Sequence, residues 1–222
     1  MLYSMDRKSP TPPTPPTLSG LRERKKQRTR DAIFEAAFRL FAERGYDGVT
    51  MAEIAQAAEV APATVFTHYS SKEDLFYGLR HVMNAALAET VRGRAVEIGV
   101  LPAVREWLLT VFEGFVTPES IERSRTFSQL QLETPALLNR SSGFAAERLA
   151  LLETLIAEQR PDLEPFVVEL AAAQVTAGLQ TLLRSFNQVL AAGLEPAAVL
   201  ERARELVGIA FAQIGAGLDA VL

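Results

Sequence analysis

Few side chains in this chain are equipped to make or break a covalent bond. The only histidines are His68 and His81, cysteine is absent, and no glycine-rich phosphate loop occurs. The acidic residues fall on solvated helical faces without a metal-ligand spacing, so neither a catalytic residue nor a metal or cofactor site is expected, and an enzyme is the weakest reading. What the chain does concentrate is equipment for gripping an anion. Pro62-Ala63-Thr64-Val65-Phe66-Thr67-His68 sets hydroxyls and an imidazole close together, and Arg22, Arg24, Lys25, Lys26, Arg28 and Arg30 crowd a short stretch upstream. Threonine hydroxyls bond to phosphate oxygens or base edges, and an alanine or threonine methyl suits a thymine methyl.

The net charge of −4 looks wrong for such a role until it is divided. Residues 1–80 carry +2 and residues 81–222 carry −6, and residues 1–30 hold eight cations against two acids. A local basic end beside an acidic body is what phosphate binding requires, although a basic run is equally often a solvated tail.

Those groups need elements to present them. Thr50 followed by Glu53 is a capping box, and Met51, Ile54, Ala55 and Ala58 give the helix that starts there one apolar stripe. Glu59-Val60-Ala61 interrupts the pattern, and Pro62 suits the first position of a second short helix running to Tyr69. Short helix, tight turn, short helix is a helix-turn-helix arrangement. In its second helix the period puts Val65 and Tyr69 inward with Val60, leaving Ala63, Thr64, Phe66, Thr67 and His68 outward. Upstream, a helix over about 23–44 packs Ile33, Phe34, Phe38 and Phe41 on this pair, closed by Gly45.

Read together, RTRDAIFEAAFRLFAERGYDGVTMAEIAQAAEVAPATVFTHYSSKEDLF resembles the N-terminal DNA-binding domain of TetR-family transcriptional regulators, over about residues 24–79. The resemblance implies contacts to double-stranded operator DNA at Thr50, Ala63, Thr64, Phe66, Thr67, His68 and Lys72. Structural roles stand beside these: Thr50 and Ser71 cap helices, and His68 can be a packed histidine. Three positions depart from the family pattern. Glu59 stands where the family usually has glycine, Ala61 replaces a capping serine or threonine, and Phe66 replaces a tyrosine that commonly bonds phosphate. A side chain in a positive-φ turn and a lost cap each cost about 1 kcal/mol.

Residues 1–20, rich in proline, read as a disordered arm, residues 21–70 as the DNA-binding domain and residues 71–222 as a helical ligand-binding and dimerisation domain. A single helix over about 72–92 is expected to link the two. Prolines at 102, 118, 135, 161 and 196 punctuate helices near 101–115, 118–131, 142–159, 163–191 and 196–220. The expected fold is all-α with about nine helices.

Trp107, Phe112, Phe127, Gln131, Phe144 and Arg148 are the candidate lining of a small-molecule effector site, an apolar cavity with a few polar anchors. Core filling is the other reading for the aromatics, and exposure the other for Arg123, Arg125 and Arg148. The last two helices carry apolar stripes and the small residues Ala171, Ala172, Gly178, Gly208, Ala212 and Gly215, which suits a homodimer built on a four-helix interface. Such a dimer would set two recognition helices roughly 34–36 Å apart.

MLYSMDRKSP lacks a signal-peptide core and no apolar run reaches the ~20 residues of a membrane span, so the expected setting is the cytoplasm, with no membrane partner. The alternative function is a helical small-molecule carrier whose basic N-terminal helix meets RNA or anionic membrane.

Overall fold

A computed structural model describes residues 18–94 and 99–218. Among them ten α-helices and no strands are present: α1 Leu18–Arg44, α2 Met51–Ala57, α3 Pro62–His68, α4 Lys72–Phe76, α5 Arg80–Arg92, α6 Val100–Phe115, α7 Ile121–Glu133, α8 Pro135–Gln159, α9 Pro165–Ala191 and α10 Pro196–Leu218. The all-α expectation holds, with two differences in partition.

The expected helix over 72–92 is two helices, α4 and α5, parted at Tyr77-Gly78-Leu79. The break lets backbone approach α1 closely. A Cβ at Gly78 would lie 3.0 Å from the Phe34 ring and 3.2 Å from the Tyr69 ring. The Gly78 carbonyl, freed at the break, accepts a bond from Arg30 Nη2 at 3.3 Å. In the other direction, α8 starts at Pro135 rather than near 142. Ser141 and Ser142 do not interrupt it, because their hydroxyls donate back to the Leu138 carbonyl at 2.8 and 3.3 Å.

Most of the expected arm, residues 1–17, lies outside the described residues. Its last three residues are helical, since α1 begins at Leu18 instead of near 23. Beyond Pro16 no residue forbids helix, and each residue added to an existing helix gains a hydrogen bond without a new nucleation cost. Prolines open α3, α8, α9 and α10, where the missing N–H costs nothing. Pro118 instead sits in the turn before α7, whose Ser120 hydroxyl donates to the Gly114 carbonyl.

Two apolar cores result. The smaller joins Ile33, Ala37 and Phe41 of α1, Ile54 and Ala55 of α2, Val65 and Tyr69 at α3, and Leu75 and Phe76 of α4. The larger runs through α5 to α10. Leu75 and Phe76 of α4 enter the head core, and so does Leu137 of α8. By length and composition α9 could cross a bilayer, although Glu169 interrupts its apolar run. Its inward residues, among them Ala171, Val175, Leu179 and Phe186, are buried in the body core.

Candidate nucleic-acid interface

The capping box at Thr50 forms as expected. The Glu53 N–H donates to Thr50 Oγ1 at 3.2 Å, while the Thr50 N–H and Oγ1 both donate to Glu53 Oε2 at 2.8 and 2.7 Å. Arg44 adds a 2.6 Å bond to Glu53, and these bonds, the arginine's first, pull the Glu53 carboxyl down to about 2. The box is therefore ionised and intact throughout the neutral range. Thr50 is exposed at the helix start, but its hydroxyl proton is directed at Glu53.

At the other end of α2, the Glu59 N–H bonds to the Gln56 carbonyl at 3.1 Å and the Val60 N–H to the Ala55 carbonyl at 3.0 Å. This is the Schellman pattern, which needs a left-handed residue after the cap, and Glu59 supplies it at φ +55°. The strain read from the sequence at Glu59 is present. Ala61 likewise caps α3 without a side-chain bond.

Inside α3, Val65 is fully buried and Tyr69, at its C-cap, nearly so, while Ala63, Phe66 and Thr67 are exposed and Thr64 is half-buried. Phe66 leaves 56% of its surface in solvent, too much for a core residue. Thr67 Oγ1 donates to the Ala63 carbonyl at 2.9 Å, so its free capacity is as an acceptor, suited to a base amino group rather than to phosphate.

His68 is half-buried, with Nδ1 enclosed and unpartnered. Burial first, then the charges of Arg30 and Lys26, pushes the imidazole pKa down, so the ring is neutral near pH 7. Arg30 lies 5.0 Å over the Tyr69 ring, whose hydroxyl donates to the Arg30 carbonyl. The basic N-terminal part of α1 thus meets the C-terminal end of α3. Residues 22–28 are exposed beyond that junction.

Lys72 is placed differently from a free phosphate contact. Its ammonium donates to the carbonyls of Tyr46 at 2.9 Å and Val49 at 3.1 Å and sits 4.0 Å over the Tyr46 ring. It braces the loop between α1 and α2, with one of its three donors left over.

The candidate effector residues do not meet in one place. Phe127 stacks on Phe76 at 4.4 Å, and Phe144 meets Tyr77 edge-on at 5.0 Å, so both fill the seam between α4 and the α7–α8 pair. Gln131 accepts a bond from Asn187, whose side-chain oxygen accepts from Ser128, bridging α7 to α9. Trp107 and Phe112 lie in the body core, where Phe112 stacks on Phe186 at 3.9 Å. Arg148 is also in the body, on α8, its Nε buried without a partner. Arg123 and Arg125 have structural roles: Arg123 stacks on Phe34 and Phe38 and pairs with Glu35, and Arg125 pairs with Glu122 and the Leu194 carbonyl.

Sequence reasoning missed the seam itself. Arg140 bonds Asp74 across it, and these contacts outweigh burial to hold the Asp74 carboxyl below its usual range. Arg80 stacks 3.9 Å over Phe144 and pairs with Glu147 at 3.0 Å, and the Tyr77 hydroxyl donates to the Leu137 carbonyl at 2.8 Å. Only Gly78, beside Tyr77, signalled a break.

Comparison with known proteins places this geometry. Residues 33–78 match the family model described as bacterial regulatory proteins, tetR family. The chain is 42% identical over 72 residues to the transcriptional regulator TcmR of Streptomyces glaucescens, covering 32% of each chain. It is 35% identical over 79 residues to the transcriptional repressor AcnR of Corynebacterium diphtheriae, covering 36% of this chain and 40% of that one. The matches span about a third of these relatives' length. The whole fold is similar to that of SmeT in its complex with triclosan, at TM-score 0.55 and 20% identity over 86% of this chain and 91% of the other. It is similar also to NalD, a repressor of a multidrug efflux pump in Pseudomonas aeruginosa, at TM-score 0.52 and 24% identity over 83% and 97%. Residues 33–78 thus form a head of the kind found in the tetR family of bacterial regulatory proteins, set in a chain whose fold is similar to those of SmeT and NalD.

Proposed function

We propose that the protein is a ligand-responsive transcriptional repressor that binds operator DNA as a homodimer and leaves it when a small, apolar effector occupies the helical body. The observation that carries the reading is the outer face of α3, where Ala63, Phe66 and Thr67 stand clear of the core beside the exposed cations of residues 22–28. A short helix with its inner face fixed by Val65 and Tyr69 is a rigid object sized for a major groove, and the cations supply the sequence-independent phosphate attraction. AcnR, aligned over the head, is itself a repressor, which supports the sign of regulation. Operator DNA puts the site of action in the bacterial cytoplasm.

Dimerisation through α9 and α10 is supported by apolar surface that the single chain leaves open: Phe166 and Leu170 on α9 and Ile209 on α10. The small residues divide between two tasks. Ala171, Ala172 and Gly215 are buried within the chain, and Gly178 admits Ile214 of α10, whose side chain would collide with a Cβ there. Gly208 and Ala212 remain exposed for close approach by a second copy. An effector shifts operator occupancy only through unequal affinity for the bound and released conformations, so tight binding alone would not suffice. Nothing in the fold favours the carrier alternative, which predicts no sequence-selective duplex binding.

The test is selection of bound fragments from random or host DNA, followed by salt titration on a recovered duplex. Affinity is expected to fall steeply between about 50 and 200 mM salt and to require the dimer seen by sedimentation. Salt-insensitive binding, absence of sequence selection, or a stable monomer would refute the reading.

A further inference from the structure

Arg148 is a half-buried cation on α8. Its Nε is sealed from solvent with no hydrogen-bond partner, and among the described residues it makes no ion pair. The adjacent Glu147 is turned to Arg80 instead. Burial holds the Arg148 guanidinium below its usual range, against the smaller opposing effect of the Glu147 charge. Of the other buried side-chain atoms without a partner, Trp107 Nε1 on α6 and Thr176 Oγ1 on α9 lie in the same body core.

Register brings two of the three together. α8 ends at Gln159 and α9 begins at Pro165, so the short connection folds them into an antiparallel hairpin. Arg148 lies eleven residues before the end of α8 and Thr176 eleven after the start of α9. At 1.5 Å per residue both stand about 16 Å from the turn, at one height. Val175 and Leu179 beside Thr176, Leu149 and Leu152 beside Arg148, and Trp107 itself pack in one continuous apolar core.

Chemistry narrows what could answer them. Guanidinium and indole N–H groups only donate, and a threonine hydroxyl donates as readily as it accepts. The missing partner is an acceptor, negatively charged to balance arginine, on a molecule apolar enough to enter this core. We propose that Arg148, with Thr176 and Trp107, receives the carboxylate of an apolar monocarboxylic effector. The inference rests on the effector reading above and narrows it from apolar molecules in general to anionic ones.

Trp107 is the only tryptophan in the chain, so its emission reports binding at this place. The probes are dodecanoate, dodecanol and dodecylamine, equal in tail and different in head, each below its micelle-forming concentration, with affinities checked by calorimetry. Dodecanoate is expected to shift the emission and bind at least tenfold more tightly than dodecanol, with dodecylamine weakest. In Arg148→Met that ratio falls to about one through loss of dodecanoate affinity alone, while Arg148→Lys keeps part of it. Ligand-free Arg148→Met is expected to melt at or above the wild-type temperature, since it removes a half-buried charge that makes no ion pair among the described residues. Dodecanol or dodecylamine binding as well as dodecanoate overturns the carboxylate assignment and leaves the effector reading standing. No response to any probe overturns the assignment and counts against the effector reading too. An Arg148→Met protein melting well below wild type overturns the assignment on its own, because it shows the arginine already satisfied within the fold.

Discussion

Replacing Glu59 by glycine is expected to stabilise the protein, although it deletes a whole side chain. Glu59 is exposed, and its carboxylate makes no hydrogen bond or ion pair among the described residues, so little is lost with it. Its backbone, at φ +55°, closes α2 through the bonds from Glu59 N–H to Gln56 and from Val60 N–H to Ala55. Holding a residue with a Cβ in that region costs about 1–2 kcal/mol. Glycine removes the strain but gives the unfolded chain more freedom, which takes back about 0.4–1 kcal/mol. The balance is a gain of about 0.5–1 kcal/mol, or about 1–4 °C in Tm for a chain of this length. Glu59→Ala is the decisive control, since it removes the same charge and keeps the Cβ. Thermal and urea unfolding followed by circular dichroism should order the three as Glu59→Gly above wild type, with Glu59→Ala close to wild type. If the alanine variant gains as much as the glycine variant, the gain is one of charge and the strain argument fails. If glycine destabilises, the turn geometry itself is wrong.

Thr50→Ala removes both hydroxyl bonds of the capping box, leaves the backbone N–H bond to Glu53, and is expected to cost about 1 kcal/mol in urea unfolding, with an unchanged midpoint counting against the cap as a stabilising element. His68 has a folded pKa below its ordinary 6.5, so the unfolded chain takes up its proton first. Its contribution to stability is present above about pH 6.5 and is lost as the pH falls through that value toward the lower folded pKa. Melting curves from pH 7.5 down to about 5.5 should show a smaller acid loss in His68→Gln than in wild type; parallel curves would remove His68 from the account. Phe127→Ala opens the seam where the ring stacks on Phe76, and a loss of about 2–4 kcal/mol is expected. A loss under about 1 kcal/mol would mean that the seam closes over the gap and does not hold the head.

The head was legible from its sequence because its determinants are local. Thr50, Glu53 and Pro62 specify helix starts within three or four residues of themselves, and the inward turn of Val65 and Tyr69 follows from the helical period alone. The candidate effector set was not legible in the same way. Phe112 and Phe127 both read as apolar residues at helical spacing, yet one stacks on Phe186 in the body and the other on Phe76 in the head. Nothing within either helix says which neighbour its face meets, since that depends on pairing between elements far apart in the chain. Lys72 shows the same limit for polar groups. Its two carbonyl partners, Tyr46 and Val49, lie more than twenty residues upstream. Charge at the right position announced a cation but not which oxygens would claim it.

The seam also decides how a signal in the body could reach α3. The head is held by α4 and also by the first turns of α8, where Leu137 completes its core and Arg140 grips Asp74. One turn further along the same helix, Phe144 lies against Tyr77 and Arg80, and one turn beyond that stands Arg148. A ligand drawing Arg148 toward Thr176 therefore acts on a rigid rod whose preceding turns are the head's mounting. Because packed side chains re-seat rather than stretch, a small shift of α8 must either carry α4 along or exchange the Tyr77 and Phe127 contacts for others. Reversing occupancy from nearly all bound to nearly all free takes about 5.5 kcal/mol of preference between the two states. A single exposed ion pair is worth at most about 1 kcal/mol, so neither the 2.7 Å Arg123–Glu35 pair nor any such surface contact could serve as the switch alone. The half-buried aromatic cluster around Tyr77, with the Arg140–Asp74 bond, has the scale required. On this reasoning Tyr77→Ala should weaken the response of DNA binding to an effector more than it weakens DNA binding itself, and an equal loss of both would show that the seam merely supports the head.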